Sequence, residues 1–482
     1  MGDGVVRNLA IMAIFVLGLN SICQARELNK QNYIIGEQAS GMGGAYTAMS
    51  SDAASSYYNP AGLAGLNKPG LSVSASVYQG HWEEYDNLLN VDQDLSSGLT
   101  SENFSTFPST VAYALPLCGT DCDSLRHVLA VSLIVPDYDH FEGKIGELQG
   151  VYPIDIKGSF FVEEETYWAG PSYAISMGGW MRLGISVFGL VHLSSRRVNT
   201  SFKAQGESEQ GIGFNWYSAS TTDISGWTLS MLVQAGIQMD LGGGVSIGLT
   251  VRSPSMGTIY SSVQGLAINS FYLEDLEARP LVSPETPGYV DRVDITGVTL
   301  NQKLPLMIGA GLVFKPTDWW DVALDGSFHL PQDRFEEYSG KIIFPKDPQG
   351  VAITDLSRAV NPTMERQYSW VLNGNLGTQI HVDKSLVLRF GLFTNFSEVD
   401  EDFHHSNQFR RSDAMILPVL TSFGATLGGS MIGERTTTSV ALVYVYGYGY
   451  TYGMNEYFDL PPNQVDVQAH TLTVVLAGSA NL

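Results

Sequence analysis

The sequence predicts an all-β transmembrane barrel of about 14 antiparallel strands, preceded by a short, mostly helical N-terminal segment. From residue 70 onward, apolar and polar residues alternate with a period of two over long stretches. The connections between these stretches alternate between short and long. The residues ahead of them are small and break the period. Because successive strand residues point to opposite faces, each stretch has one apolar and one polar face, as a wall between lipid and a polar interior needs.

The chain begins with a segment typical of a secretory signal. Arg7 precedes an apolar run over residues 9–19, and small Ala25 ends a plausible cleavage site. That run is too short to span a bilayer, which takes about 20 residues. We therefore predict a signal peptide over residues 1–25 and a mature chain that starts at Arg26.

Residues 26–69 form a separate N-terminal segment, ahead of a predicted barrel over residues 70–482. The Ser51-Asp52 pair is suited to cap a short helix over residues 53–58. Asn59 can cap a second turn, with Pro60 at its first helical position, where the missing N–H costs nothing. Small residues such as these suit close packing in a narrow lumen.

Fourteen strands are predicted by the alternation. Large apolar residues continue along each of them for about the ten positions that a tilted strand needs to cross a membrane. They cover roughly residues 70–80, 106–117, 125–138, 165–178, 181–196, 225–240, 245–262, 293–315, 319–331, 365–382, 385–397, 414–428, 436–450 and 467–478.

The connections distinguish this pattern from a soluble β-sandwich. Short turns at one rim and long loops at the other are typical of outer-membrane barrels. Lipid offers no hydrogen bonds, so the sheet must close without an edge. The short connections are 118–124, 179–180, 241–244, 316–318, 383–384 and 429–435, and the long ones are 81–105, 139–164, 197–224, 263–292, 332–364, 398–413 and 451–466.

A run of tyrosines supports the membrane reading. Every second residue from Tyr444 to Tyr452 is a tyrosine, which places all of them on one face of a predicted strand. Aromatic residues at this level are typical of the interfacial girdle of a membrane barrel. A tyrosine ladder in a soluble sheet is the alternative.

Charge and motifs exclude several functions. The net charge is −23, whereas nucleic-acid binding needs a basic surface. The stretch from Gly244 to Gly248 matches the G-x-S-x-G pattern of a nucleophile, but it opens a strand and no helix follows it. We predict no enzyme activity, no metal site and no cofactor.

Two cysteines remain in the predicted mature chain, Cys118 and Cys122. In an oxidising compartment they could form a local disulfide. Two free thiols fit the sequence equally well, and both readings stay open.

The N-terminal stretch "GEQASGMGGAYTAMSSDAASSYYNPAGLAGL" resembles the hatch of the FadL/TodX (OMPP1) family of outer-membrane hydrophobic-substrate transporters. Later stretches such as "KLPLMIGAGLVFKPTDWWDVALDGSF" are similar to the family's strands in the same order, so the resemblance covers nearly the whole mature chain. The residues that match the hatch pattern are Gly41, Met42, Gly43, Gly44, Ala45, Asp52, Ala53, Ser55, Tyr57, Asn59, Pro60, Ala61 and Gly62.

The resemblance implies a barrel in the outer membrane of a Gram-negative-type bacterium, with residues 26–69 as a mostly helical hatch plugging its lumen. Its expected function is passive uptake of long-chain fatty acids or of aromatic and aliphatic hydrocarbons, without a cofactor. The ligand would be captured in a groove of the external loops, pass inward as the hatch rearranges and leave sideways through the wall. Expected partners are this ligand, outer-membrane lipid and lipopolysaccharide, and the barrel is expected to be a monomer. The resemblance assigns a gating role to Gly41, Gly43, Gly44, Asn59, Pro60, Ala61 and Gly62.

Alternation supplies candidate ligand-binding residues. It places Arg252, Asp321, Asp325 and Arg389 on the lumen side, where an arginine could bind a carboxylate with two parallel hydrogen bonds. An arginine–aspartate network that holds the hatch to the wall is the alternative. Apolar residues of the loops 197–224 and 263–292 are candidates for the entry groove. The groove candidates are Phe214, Trp216, Phe271 and Tyr272.

Two other functions compete with transport. A barrel of the same family could serve as an assembly or secretion partner without transporting anything. An aqueous porin is disfavoured, because a hatch of this length would block a water channel.

Overall fold

A computed structural model describes most of the chain. The predicted signal peptide and both Cys118 and Cys122 lie outside the described residues. The described ranges are 33–92, 95–117, 125–145, 154–207, 213–274, 288–340, 364–400, 418–452, 454–455 and 464–481.

Strands account for almost all of the regular structure. Within the described residues, no helix is long and apolar enough to cross a membrane. The strands are β1 (Gly70–Asp92), β2 (Leu95–Phe107), β3 (Thr110–Pro116), β4 (Leu125–Ile145), β5 (Ile154–Met177), β6 (Met181–Glu207), β7 (Gly213–Gly242), β8 (Val245–Arg252), β9 (Tyr260–Glu274), β10 (Gly288–Ile295), β11 (Thr299–Leu300), β12 (Met307–Thr317), β13 (Trp320–His329), β14 (Gln332–Ser339), β15 (Met364–Tyr368), β16 (Val371–His381), β17 (Leu386–Asn395), β18 (Val419–Ile432), β19 (Thr436–Tyr452), β20 (Met454–Asn455) and β21 (Gln464–Asn481).

These strands form a closed antiparallel barrel of 14 staves, which confirms the predicted fold class. Three staves are interrupted, so that β2 with β3, β8 with β9, and β10 with β12 each make up one stave. The last strand pairs with the first along its length, from Gly70 opposite Asn481 to Tyr85 opposite Val467. Closure of this kind leaves no edge whose backbone groups would face lipid unpaired.

One rim is built of tight hairpins, as predicted. The β7–β8 turn contains Gly243 and Gly244 at φ values of 64° and 79°, in the left-handed region that glycine adopts without strain. The barrel also begins and ends at this rim, because Gly70 of β1 pairs with Asn481 of β21.

The other rim differs from the prediction. Residues expected to form long loops continue the strands instead: β1 reaches Asp92 and β7 starts at Gly213. An extended backbone satisfies its polar groups in the ladder of a hairpin, so these extensions need no irregular loop. The groove candidates Phe214 and Trp216 therefore lie on β7, and Phe271 and Tyr272 lie on β9, rather than in loops.

The apolar face of the barrel is its outer face. In β17, Leu388 is 47% exposed whereas its neighbour Arg389 is 5% exposed. The same alternation runs through β13, where Leu324 is exposed and Asp325 is buried. An outward apolar face and an inward polar face are the reverse of a soluble protein and match a barrel surrounded by lipid.

Aromatic residues mark both edges of the apolar face. Trp180 and Trp319 are exposed at the tight rim. Tyr444 and Tyr448 of the predicted tyrosine run are exposed on β19. Aromatic side chains at these levels suit the boundary between lipid tails and head groups.

A second, three-stranded sheet was not predicted. It consists of β11, β14 and β15 and lies beside the inner wall of the barrel at the rim opposite the tight hairpins. Leu300 and Tyr338 of this inner sheet join a buried apolar cluster with Val293 and Ile295 of the wall. The inner sheet thus covers the lumen from that side.

The lipid-facing surface can be tested at Leu427, which is 62% exposed and has the apolar neighbours Phe390 and Leu442 on the adjacent strands. We expect Leu427→Arg to destabilise the barrel by about 2–4 kcal/mol, because it places a charge in the hydrocarbon layer. The matched Thr436→Arg, next to a tight hairpin, should cost about 0–1 kcal/mol. Equilibrium unfolding in lipid vesicles measures both, and equal losses would contradict the assignment of the outer face.

Candidate functional site

The described N-terminal segment, residues 33–69, lies in the lumen. It contains a 3-10 turn over Ala39–Met42, an α-helix over Ser55–Tyr58 and a 3-10 helix over Pro60–Gly65. These turns contact strands of both halves of the ring, from β4 to β7 and from β16 to β19. The segment is less helical than predicted, since most of its residues are irregular.

One predicted helix cap is wrong and the other is present. The α-helix begins at Ser55 after Ala54, and no side chain caps it. Asp52 instead uses its backbone N–H to donate to the Ser55 Oγ at 3.2 Å. Asn59 does cap the 3-10 helix that starts at Pro60, because its Oδ1 accepts a hydrogen bond from the Ala61 N–H at 3.1 Å.

Asn59 also ties the segment to the barrel wall. Its Nδ2 donates to the Thr47 carbonyl at 2.9 Å and to the Ile237 carbonyl of β7 at 3.0 Å. The side chain is fully buried, so each of these bonds replaces water that is excluded from the site. A single amide therefore caps a helix, closes the segment on itself and joins it to the wall.

Polar side chains of the wall satisfy the segment's irregular backbone. Asp325 Oδ2 accepts from the backbone N–H groups of Tyr46 at 2.7 Å and Thr47 at 2.6 Å. Gln238 Nε2 donates to the Thr47 carbonyl at 3.1 Å and to the Ser50 carbonyl at 3.2 Å. Buried backbone groups without such partners would be costly.

The opposite part of the wall does the same for the Gly-rich stretch. Asn375 Nδ2 donates to the Gly43 carbonyl at 2.6 Å, and Thr426 Oγ1 donates to the Gly41 carbonyl at 2.9 Å. Each carbonyl belongs to a residue to which the resemblance assigned a gating role.

Wall glycines set the distance between barrel and segment. A Cβ on Gly184 would lie 2.2 Å from the Pro60 carbonyl carbon, and one on Gly236 would lie 2.0 Å from Asn59 Oδ1. A Cβ on Gly391 would lie 2.1 Å from the Gly43 nitrogen. These approaches are closer than any side chain permits. The sequence carried a signal for them that was not used, namely glycine at lumen-facing positions of neighbouring strands. Gly248, Gly377 and Gly428 belong to the same group.

The two predicted lumen arginines have different surroundings. Arg389 Nε donates to Gln379 Oε1 at 3.2 Å, and Gln379 Nε2 donates to Asp321 Oδ2 at 2.5 Å. The Arg389 Cβ also lies 2.9 Å from where a Cβ on Gly41 would be. Arg389 is thus part of a polar network of the wall beside the segment.

Arg252 lines a cavity in the lumen. The cavity has a volume of about 100 Å³, and Tyr57 and Tyr58 of the N-terminal segment bound it on one side. Gln302 and Leu304, which follow β11 of the inner sheet, bound it on the other side. The Arg252 Cζ lies 5.2 Å from the centre of the Trp168 ring, in a cation–π contact.

Gln302 and the inner sheet are attached to the far wall. Gln302 Nε2 lies 3.3 Å from Thr166 Oγ1 and 3.3 Å from His192 Nδ1. The Tyr338 hydroxyl donates to Ser194 Oγ at 2.8 Å. The cavity is thus lined both by the N-terminal segment and by residues that follow β11 of the inner sheet.

A buried ion-pair cluster strengthens this attachment. Glu337 of the inner sheet lies 3.6 Å from an Arg196 nitrogen of β6 and 2.8 Å from an Arg366 nitrogen of β15, and Arg196 also pairs with Glu164. Burial acts to raise the pKa of the Glu337 carboxyl, but Arg366 and Arg196 outweigh it and hold that pKa below its ordinary value. The cluster stabilises the inner sheet at neutral pH and weakens only as Glu337 is protonated in acid.

The groove candidates are on neighbouring strands. Ser218, close to Phe214 and Trp216, is directly opposite Phe271, and Tyr217 is directly opposite Tyr272. Both strands belong to the extension of the barrel at the rim opposite the tight hairpins.

No group of three or more histidine, cysteine, aspartate or glutamate residues suited to hold a metal ion occurs in the described part of the chain.

Comparison with known proteins identifies this architecture. No protein-family model and no curated protein matches the sequence. Among solved structures, a Pseudomonas aeruginosa FadL homologue matches over 95% of this chain and 99% of its own, with 12% identity and a TM-score of 0.56.

Two toluene transporters match in the same way. TodX from P. putida has 12% identity and a TM-score of 0.55 over 94% of this chain and 99% of its own. TbuX from Ralstonia pickettii has 12% identity and a TM-score of 0.51 over 94% of this chain and 99% of its own. At this identity the likeness shows the fold, which is that of the FadL- and TodX-type barrels. The resemblance drawn from the N-terminal motif is confirmed at that level.

The role of the wall glycines can be tested in one strand. Gly184→Ala places a methyl group against Pro60 and should displace the N-terminal segment, whereas Gly189, also in β6, has its nearest neighbour at 3.7 Å. Hydrogen–deuterium exchange of residues 57–65 should rise markedly in Gly184→Ala. Gly189→Ala should leave it unchanged, with stability within about 0.5 kcal/mol of the wild type. Equal exchange in the two variants would contradict the contact.

Attachment of the segment should depend on pH through Asp52, which is outside the membrane-spanning strands. Burial raises the pKa of the Asp52 carboxyl to about 6, and the charge of Glu37 adds to the shift. The attached state therefore favours the protonated carboxyl, and its stability falls as pH rises from the ordinary pKa of 3.8 through about 6, by up to about 3 kcal/mol. Asp52→Asn should weaken this dependence.

The measurement is hydrogen–deuterium exchange of residues 46–50, corrected for intrinsic rates, at pH 4 to 8. The wild type should exchange faster as pH rises, and Asp52→Asn should show a weaker rise and stay better protected at high pH. An unchanged pH profile in Asp52→Asn would assign the dependence to another group.

Proposed function

We propose that this protein is an outer-membrane channel for the passive uptake of hydrophobic small molecules, of the class of long-chain fatty acids or aromatic and aliphatic hydrocarbons. The observation that carries the proposal is a closed barrel whose lumen is blocked by its own N-terminal segment, with a cavity beside that segment. Toluene transporters share the fold. A blocked lumen suits a ligand-dependent channel and not an open water pore.

The manner of attachment supports a segment that moves. Its contacts with the wall combine apolar packing, such as that of Leu63 with Val128, with hydrogen bonds to single side chains, such as those of Asn59 with β7 and of Gly43 with Asn375. Such hydrogen bonds contribute only about 1 kcal/mol each, because water can replace the partner once the segment moves. Rearrangement of the segment then opens the cavity toward the tight rim.

Entry begins at the strand extensions around Phe214, Trp216, Phe271 and Tyr272, whose apolar residues capture the ligand. Exit proceeds sideways through the wall. An interruption of the wall near the cavity supports this route: β8 ends at Arg252 and β9 begins at Tyr260. There the regular ladder gives way to scattered bonds. The Ser255 N–H donates to the Leu304 carbonyl at 3.1 Å and the Leu304 N–H donates to Ser255 Oγ at 3.0 Å, while Met256 and Ile259 still donate backbone bonds to β7.

The proposed location in the outer membrane determines what surrounds the barrel. The exposed tyrosines of β19 lie at the level of the lipid head groups, and lipopolysaccharide surrounds the outer rim. Residues 1–25 direct the chain out of the cytoplasm and are removed. The barrel acts as a monomer, since each copy encloses its own lumen.

The decisive experiment compares uptake by cells that lack their own channels for hydrophobic substrates. Wild type should take up labelled oleate or toluene saturably. Asn59→Ala removes the cap and two ties of the segment, at a cost of about 1–2 kcal/mol, and should lower this uptake while letting small polar solutes leak. Ser51→Ala, an exposed position in the same segment, is the control.

Mass spectrometry of molecules extracted from the purified protein complements the uptake assay. A co-purified fatty acid or hydrocarbon supports the proposal. Uptake that stays unchanged after replacement of residues 36–66 would refute the role of the segment. No uptake by the wild type would favour a barrel that serves another protein instead.

A further inference from the structure

The inner sheet formed by β11, β14 and β15 is separate from the barrel wall. Among the described residues it shares no strand ladder with the wall. Its own pairing is short and irregular, because β11 contributes two residues and the register between β14 and β15 shifts twice. A sheet that shares no ladder with its surroundings can change position while the strands of the wall stay paired with each other.

Three short links connect the inner sheet to the wall. Residues 296–298 lead from β10 into β11, residues 330–331 lead from β13 into β14, and residues 369–370 lead from β15 into β16. In the first link, Gly297 has a φ of 70°, and a Cβ there would have no atom within 4 Å. Glycine adopts this and other conformations with little strain. A few residues at strand ends with this freedom suit a hinge.

Contacts that involve side chains, rather than backbone ladders, hold the inner sheet against the wall. The Tyr338 hydroxyl donates to Ser194 Oγ of β6 at 2.8 Å, and the Arg196 Cζ lies 5.0 Å from the centre of the Tyr338 ring. Glu337, the preceding residue of β14, lies 3.6 Å from a nitrogen of the same Arg196. Two successive residues of the inner sheet thus contact one short stretch of β6.

The apolar part of this contact is small. Its buried members come from two wall strands, from the first link and from two strands of the inner sheet. They are Ala267, Val293, Ile295, Val298, Leu300 and Tyr338. A small apolar contact with polar bonds around it can open and close again, because water replaces the polar partners and little apolar surface becomes exposed.

The inner sheet also lies where it controls access to the lumen. It covers the lumen at the rim opposite the tight hairpins, beside β9 and β10 of the wall. The N-terminal segment lies nearer to the tight hairpins, where Pro60 packs against Gly184 close to the start of β6. A molecule that arrives from outside therefore meets the inner sheet before it reaches the N-terminal segment.

We propose that the inner sheet is a gate, distinct from the N-terminal segment, that swings on its three links to admit a hydrophobic ligand. The contacts of Tyr338 and Glu337 with β6 close it again. This inference rests on the proposed function and adds a second moving barrier to the route of the ligand.

A removable cross-link tests whether this gate has to move. Thr258 of the wall donates through Oγ1 to Asn301 Oδ1, just after β11, at 2.8 Å. Cysteines at these two positions can therefore be joined by a short bis-methanethiosulfonate, in the full-length chain with Cys118→Ser and Cys122→Ser. We expect the cross-link to lower cellular uptake of labelled oleate or toluene at least about tenfold, because the sheet can no longer swing. A reducing agent should restore uptake.

The matched control joins two strands of the wall at the level of Ser194. Ser195 of β6 is directly opposite Ser225 of β7, and the same reagent can join Ser195→Cys to Ser225→Cys. Uptake should stay within about twofold of the protein without the cross-link, because the inner sheet can still swing. If the cross-link between positions 258 and 301 has an equally small effect, or does not form, the inference is overturned.

Hydrogen–deuterium exchange of the purified protein tests the gate without transport. In the wild type, residues 332–339 of the inner sheet should exchange at least about tenfold faster than residues 184–196 of β6, because the sheet opens while the wall stays paired. Equal protection of the two stretches overturns the inference.

A charge variant tests whether the gate moves independently of the N-terminal segment. Glu337→Gln removes the charge that pairs with Arg196. It should speed exchange of residues 332–339 at least about threefold further and leave residues 57–65 unchanged. Glu336→Gln, the same change at an exposed neighbour, should change neither. Equal acceleration of both stretches in Glu337→Gln means that they move together and overturns the inference.

The two proposals fail differently. Uptake that continues through the cross-linked protein leaves the channel proposal standing and removes the gate. Absence of uptake by the wild type overturns the channel proposal, and the exchange of residues 332–339 then decides on the gate by itself.

Discussion

The architecture depends on how an irregular backbone is satisfied inside a closed wall. A segment without regular hydrogen bonding exposes N–H and C=O groups, and the lumen of a tightly filled barrel has little water to receive them. The wall supplies the partners from fixed side chains, with Asp325 accepting from two successive N–H groups and Gln238 donating to two carbonyls. The inward polar face of the strands, the position of the segment and the shape of the cavity all follow from this requirement.

Strand alternation made the barrel predictable. Its outer face has to be apolar over the whole hydrocarbon layer, so every strand shows the alternation through outward apolar residues such as Leu388 and Leu427. The same rule placed Arg252, Asp325 and Arg389 inside without knowledge of their partners. Strand ends were less predictable, because beyond the membrane both faces of a strand are free to be polar and the alternation fades. That is why strand extensions were read as loops.

The inner sheet and the wall glycines were outside the reach of sequence reasoning for different reasons. The inner sheet pairs segments far apart in the chain, Thr299 with Ser339 for example, and no local pattern encodes such a register. The glycines could be seen in the sequence, but their role depends on the surface that packs against them. Gly236 has to be glycine because Asn59 packs directly against it. The cavity could not be predicted for the same reason, because its lining comes from the N-terminal segment and from strands β8, β12 and β13, among others.

The wall glycines also limit how the lumen can open. Glycine has no side chain to rotate away, so the wall cannot make room by small adjustments where Pro60 and Gly43 rest against it. Space appears only when the backbone of the N-terminal segment itself leaves. In the channel we propose, opening would therefore be a transition between two discrete arrangements of this segment rather than a gradual widening.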